Sequence, residues 1–319
     1  MDTLYFILNY SFLTMVPLLL VALGALISER SGIVNIALEG IMLMGAFLGI
    51  YVISILETNA MNSQWVLLVG LLVGGITGAI FSLLHAFAAI NMKSDQVISA
   101  TAINLMAPAF AIFVARTILS GRQQIIFYSN FRISAIPLLS DIPFLGDIFF
   151  QNTYIAFWIS LLVLIIVSVF LNQTKLGLQL RSVGENPHAA DSLGIKIHRI
   201  RYLGVLTSGF LAGFGGVALL TMIASEFNAT VSGFGFLALA VLIFGNWKPS
   251  KILLGAFFFG VLRTVGSVYF SIDFLEYLNW PEEFYELIPY VATLVVLVFS
   301  SKNSNAPKAA GQVYDPGKR

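Results

Sequence analysis

The residues able to do chemistry in this sequence are few, and most stand inside apolar runs. Asn35 and Glu39 lie four apart in the apolar stretch 33–55, directly after the polar sequence Ser28-Glu29-Arg30-Ser31-Gly32. At helical spacing they share one face. Polar groups at membrane depth are costly and are functional candidates by default. Here the chemistry is either that of a pathway or gate, or that of a hydrogen bond holding a neighbouring helix. Asn104 and Arg263 sit in further apolar runs, and Asn246 ends another. Arg263 calls for an acid or carbonyl groups as partner, and the sequence names none. His85, His188 and His198 are far apart and lack metal-ligand spacing, so no metal site is expected. There is no cysteine, which excludes disulfides and thiolate catalysis. Neither Gly-x-Ser-x-Gly nor His-Glu-x-x-His occurs, so no enzyme is read here. The only Gly-Lys pair is Gly317-Lys318, so the chain has no phosphate loop. An ATP-driven role would take its energy from another subunit, and the chain itself calls for no cofactor.

A second group of residues lies in the one long polar interruption, 172–201, with Lys175, Arg181, Lys196, Arg199 and Arg201. Inside it is a compact helix signature. Asn186 is a good N-cap, Pro187 suits the first helical position, and Gly194 can close the helix in the left-handed conformation. A helix of about two turns is therefore expected over 187–193. A short, capped helix between membrane segments is suited to passing force to a partner. The plainer reading is a locally folded loop that touches nothing.

The elements around these residues are apolar. Of 319 residues, 58% are hydrophobic and 10% charged, and mean hydropathy is +0.89. Soluble domains carry about 25% charge, so the fold class is all-α, a polytopic membrane protein in one transmembrane domain over 1–319. Net charge is +1, which gives no support for a nucleic-acid partner. Apolar runs place helices near 6–27, 33–55, 65–90, 97–119, 153–171, 201–225, 233–246, 251–270 and 286–300. The 233–246 run is too short to span alone and reads as half of a broken helix. The expected count is eight to ten. Asp2 follows Met1 with no basic stretch before the first run, which therefore reads as a membrane helix rather than a cleaved signal.

With 172–201 on the cytoplasmic side, thirteen of the seventeen Lys and Arg fall inside, including Arg30, Lys93, Lys248, Lys251, Lys302, Lys308, Lys318 and Arg319. Arg116, Arg122 and Arg132 fall outside. The positive-inside rule then puts the N-terminus outside and the tail 301–319 in the cytoplasm. Outside, 120–152 suits short interfacial helices. Residues 271–286 join Asp273, Glu276, Glu282, Glu283 and Glu286 to Tyr277, Trp280 and Tyr285, an acidic surface with an aromatic belt that is either solvated or docks an external protein. Ser31-Gly32 with Ala37-Leu38 is echoed by Ser232-Gly233 with Ala238-Leu239, running the opposite way, an expected inverted repeat. Gly70, Gly74 and Gly78, with Gly209 and Gly213, have the spacing of close helix packing.

The sequence GLQLRSVGENPHAADSLGIKIHRIRYLGVLTSGFLAGFGG (177–216) resembles the cytoplasmic loop and following helix of ABC-importer permeases for simple sugars, nucleosides and branched-chain amino acids. ALISERSGIVNIALEGIMLMGAFLG (25–49) is similar to the start of the shorter nucleoside-type permease, and IPLLSDIPFLGDIFF (136–150) to its external loop. The resemblance implies a bacterial plasma-membrane (inner-membrane) permease without its own ATPase. It implies a cytoplasmic ATP-binding subunit docked on 186–194, a second and longer permease, and an extracytoplasmic substrate-binding lipoprotein, with membrane lipid around them. Glu185, Asn186, Pro187, Ala190 and Gly194 match its coupling segment, with Asp191 between them. Ser28, Glu29, Arg30, Ser31, Gly32, Asn35, Glu39 and Gly40 match its N-terminal motif. Nucleosides are the implied solutes, with sugars and riboflavin-like compounds as neighbours. The competing reading is a secondary transporter driven by an ion gradient, with Glu39 as its ion site.

Overall fold

The computed structural model describes residues 2–58, 63–137, 139–142, 146–272, 275, 277, 278, 280–300, 304–315 and 317. Of the residues discussed above, Asp273, Glu276, Lys302, Lys318 and Arg319 lie outside these. Helices α1 (Asp2–Arg30), α2 (Leu38–Thr58), α3 (Gln64–Ala86), α4 (Gln96–Ile118) and α5 (Ile155–Gln173) come first. Two short helices follow, α6 (Lys175–Glu185) and α7 (Pro187–Ser192). Then come α8 (Ile197–Ile223), α9 (Phe234–Phe244), α10 (Pro249–Ser267), α11 (Glu282–Glu286) and α12 (Ile288–Ser300). Seven of these are long and apolar enough to cross a bilayer, α1 to α5, α8 and α10. The short apolar helices α9 and α12 lie among them.

Helix α1 is apolar all round and is the central post, with α8, α10, α9 and α5 packed about it. Helices α4 and α5 instead turn Ile98, Leu105, Phe113, Leu162 and Ile165 outward, as a lipid-facing wall requires. Between α2, α3 and α8 runs a seam of glycines. A Cβ on Gly45 would stand 2.7 Å from Gly74 O and 2.8 Å from Gly213 O, and one on Gly49 2.8 Å from Gly70 O. The glycine spacing seen in the sequence is thus a packing device. Without water, association relies on such close backbone approach.

Three expectations change. The stretch 33–37 is not helical, since α2 begins at Leu38, so Asn35 and Glu39 do not share a helix face. Residues 33–35 are irregular chain and 36–37 form a turn that leads into α2. Among its described residues the loop 120–152 has one short helical segment, Gly146–Phe150, and is otherwise irregular, with the small strands β1 (Ile125–Ile126), β2 (Ile133–Ala135) and β3 (Gln151–Thr153). β2 pairs antiparallel with β3, and β1 with β4 (Glu226–Phe227), Ile125 opposite Phe227. Finally, Tyr285 belongs to the core, stacked on Tyr269 at 4.2 Å, while Tyr277 and Trp280 stay exposed.

The two ends of the bundle differ. One gathers Arg30, Lys93, α6, α7, Trp247 and the tail segment 304–315. The other holds the small strands, the end of α2 through Glu57, which accepts from Tyr128 N and Ser129 N, and the loop after α8.

Gly45→Ala tests the seam. Its methyl meets backbone on two sides, which no rotamer change can relieve, so a loss of about 1–3 kcal/mol is expected. Thermal denaturation in detergent should show a lower midpoint, while Leu105→Ala on the lipid face leaves it unchanged.

Candidate functional site

The site is built from two interruptions in the membrane helices, whose ends meet. The first follows α1. Ser31 N and Gly32 N donate to Ser28 O and Glu29 O, and Gly32 turns the chain at φ +91°. The non-helical residues beyond it have several of their backbone groups taken up by neighbouring groups. Ile33 N donates to Ser28 O, and Ser28 Oγ to Ile33 O. Val34 N donates to Gln96 Oε1 at 2.8 Å, and Val34 O lies 3.0 Å from His85 Nε2. Asn104 spans the entry to α2, donating through Nδ2 to Ile36 O (2.9 Å) and accepting at Oδ1 from Gly40 N (2.8 Å). Asn35 is fully buried and donates to Ser208 Oγ on α8.

The second interruption precedes α9. Gly233 takes φ +76° and opens the helix with no side-chain cap of its own. Its cap comes from across the bundle. Glu39 accepts from Gly233 N at Oε1 (2.9 Å) and from Gly235 N at Oε2 (2.7 Å). The approach is backbone to backbone, since a Cβ on Gly235 would lie 2.5 Å from Glu39 Cα. A carboxylate at a helix N-terminus also meets the positive end of its dipole. The echoed Ser-Gly pairs thus both sit at interruptions with left-handed glycines. The helices that follow run apart, α2 towards Tyr128 and α9 towards Arg30.

At its far end α9 is clamped. Asn246 and Trp247 both hold positive φ, 49° and 53°. Trp247 Nε1 donates to Glu29 Oε2 (2.6 Å), and Arg30 donates to Trp247 O (2.9 Å). Arg30 also reaches Glu185 Oε1 at 3.8 Å, and Glu185 ends α6. Asn186 Oδ1 then accepts from Ala189 N (3.0 Å), Pro187 is the first residue of α7, and Gly194 follows at φ +79°. Pro187 and Ala190 face inward and seat the helix, while Glu185, Asn186 and Gly194 are exposed, with Asp191 half-buried. Leu193, 82% exposed beside them, is an apolar side chain facing water at a polar end of the molecule.

The tail crosses this same surface. Asn305 N donates to Asn246 Oδ1, Ala309 N to Gly184 O and Gly311 N to Gly32 O. Lys93 and Asp315 pair at 3.1 Å. Tyr314 is buried with its ring 5.2 Å from that of His188, 6.0 Å from that of His198 and 5.9 Å from the guanidinium of Arg201. Arg201, read above as a loop cation, is buried in α8.

Of the sequence candidates, Ser28, Glu29, Arg30, Asn35, Glu39, Asn104 and Asn246 all belong to these two interruptions or the clamp. They do not line one open channel. One cavity, about 370 Å³ in volume, lies above α9 with Arg263 and Phe234 in its wall, and a larger one of about 900 Å³ lies against residues 119–128. Arg263 lies over the Phe234 ring at 5.7 Å and is in neither of the ion pairs among the described residues, so of the two expected partners, an acid or carbonyl groups, no acid pairs with it there. His85 and Gln96 were passed over. His85 carried the signal, an ionisable group in an apolar run.

A polytopic bundle with discontinuous helices meeting inside the membrane is the build of a transport permease. Residues 7–297 match the family described as branched-chain amino acid transport system / permease component, and the chain belongs to that family. It is 38% identical over 314 residues to the nucleoside ABC transporter permease protein NupC of Lactococcus lactis, covering 98% of each chain. It is 38% identical to the guanosine ABC transporter permease protein NupQ of Bacillus subtilis, over 95% of this chain and 94% of that one. The putative glucose ABC transporter permease protein TsgC13 of Haloferax volcanii is 35% identical over 80% of this chain and 75% of its own. Lactococcus lactis also has a more distant match, the nucleoside ABC transporter permease protein NupB, 26% identical over 79% of this chain but 70% of its own, greater length. No solved structure gives a significant match.

Glu39→Ala should leave Gly233 N and Gly235 N without acceptors, at about 1–3 kcal/mol for each buried group. The cysteine-free chain allows a direct reading. A single Ser232→Cys should react faster with a maleimide when Glu39→Ala is added, and the melting midpoint should fall.

Proposed function

We propose that this chain is a membrane subunit of an ATP-driven importer for nucleosides or a closely related small polar solute. ATP is bound by a separate cytoplasmic subunit, and this chain binds no cofactor. A second, longer permease completes the pathway, and an extracytoplasmic lipoprotein delivers the solute. The near full-length likeness to nucleoside and guanosine permeases supports the solute class. The longer second relative in Lactococcus supports a pair of permeases. The orientation that follows puts α7 in the cytoplasm and the Tyr128 end outside, in the plasma membrane of a bacterium.

One observation carries the mechanism. The capped helix α7, with Leu193 beside it, is tied through Glu185 and Arg30 to Trp247, and so to α9. ATP binding closes the ATPase pair, α7 moves as a rigid piece, and Arg30 passes the displacement to α9. Helix α9 bears on α2 through Glu39. A partner drives such a change only if it binds one state more tightly than the other. Exposed Glu185, Asn186, Leu193 and Gly194 are the docking surface, while Pro187 and Ala190 hold the helix in place. The ion-gradient alternative would use Glu39, but both its oxygens are engaged by α9.

Ala190→Pro removes the donor of the Ala190 N to Asn186 O bond, and Gly194→Pro forbids the observed φ. Either variant should reach the membrane in normal amount, lose nearly all uptake, and no longer co-purify a Walker-motif ATPase. Normal uptake at normal abundance rejects the coupling role. Sidedness is read separately in intact cells. An impermeant maleimide should label Tyr128→Cys and spare Leu193→Cys, and the reverse pattern inverts the assignment.

A further inference from the structure

The cavity above α9 has a composition that no pathway residue named so far explains. Its floor is Phe234, the first residue of α9, and its walls bring Tyr10 from α1 and Arg263 from α10. The loop between α8 and α9 adds Glu226, Asn228 and Thr230 at the mouth. That mouth opens at the end of the bundle carrying β1 and β4. At about 370 Å³ it falls within the 300–1,000 Å³ usual for small-molecule sites.

Two features select a ligand class. The guanidinium of Arg263 lies over Phe234 at 5.7 Å, giving a planar, donor-rich group beside an aromatic ring. Such a pair takes a flat heteroaromatic ring with acceptor atoms on its edge. Asn228 and Thr230 add amide and hydroxyl groups suited to a polyhydroxylated moiety. With one arginine and one glutamate, the cavity is formally neutral, which favours an uncharged solute over a phosphorylated one.

We propose that this cavity is the outward-facing solute site, with the base of a nucleoside against the Arg263–Phe234 pair and its sugar towards Asn228 and Thr230. The proposal rests on the nucleoside reading above and deepens it. It also gives α9 a double duty. The residue touching solute, Phe234, stands between Gly233 and Gly235, whose N–H groups Glu39 holds. A bound solute therefore acts on the same short helix that the cytoplasmic clamp grips at Trp247.

The test is uptake of labelled guanosine by cells that express the complete transporter and lack other nucleoside uptake. Arg263→Gln should raise KM about tenfold or more, Arg263→Lys should recover part of that, and Asn228→Ala should raise KM a few-fold, all at unchanged membrane abundance. A nucleoside monophosphate should not compete in the wild type. Wild-type guanosine uptake with an unaltered KM in Arg263→Gln overturns the site and leaves the transport reading standing. Wild-type uptake of glucose but not guanosine removes the nucleoside reading itself, and the base-binding proposal with it. If Arg263→Gln fails to accumulate, unchanged KM in both Asn228→Ala and Thr230→Ala overturns the site.

Discussion

Inside a bilayer an unpaired backbone N–H or C=O has no water to fall back on, and each costs several kcal/mol. This chain interrupts its helices twice at membrane depth, so its architecture depends on side chains that repair the breaks. Asn104 bridges the entry to α2, His85 and Gln96 engage both polar groups of Val34, and Glu39 receives the first donors of α9. The donors of one interruption are thus satisfied by the helix leaving the other. The second break therefore depends on α2 being in place, while the first is repaired from α3 and α4.

What the sequence disclosed follows from how local each signal is. Asn186, Pro187 and Gly194 define α7 through their own backbone preferences, and the observed cap, first-turn proline and left-handed glycine agree. The shortness of 233–246 likewise marked α9 as a partial helix. Asn35 and Glu39 misled because an apolar run looks alike whether it is helical or extended when both forms are enclosed. Only the side chains of α3 and α4 decide it, and they are distant in sequence. Helix α6 hid inside a segment read as polar loop, although Leu180 and Val183 lie on a buried stripe. Asn246, at the end of an apolar run, accepts from Asn305 N of the tail, a partner too distant in sequence to be read locally.

Helix α9 spans eleven residues, about 16 Å, so it crosses only half of the hydrocarbon. Its length fits its connections. One end reaches the cavity floor at Phe234, the other the Trp247 clamp, and a longer helix would leave no depth for the solute above it. The glycine seam of α2, α3 and α8 stands beside it as the stiffer part of the bundle, fixed by main-chain contact. A short rod against a rigid seam can shift by exchanging hydrogen-bond partners rather than by repacking a core.

The strap formed by 304–315 has a consequence in time. It follows helices α1 to α12, so during synthesis Gly32 O and Gly184 O wait for their donors until α12 has been made. Tyr314 then closes over Arg201, His188 and His198, drawing the first break, the α6–α7 segment and the α9–α10 junction into one surface. The surface around α7 and the Trp247 clamp therefore closes only after residues 304–315 have been made. A chain cut before residue 304 would leave Gly32 O, Gly184 O and Asn246 Oδ1 without these donors.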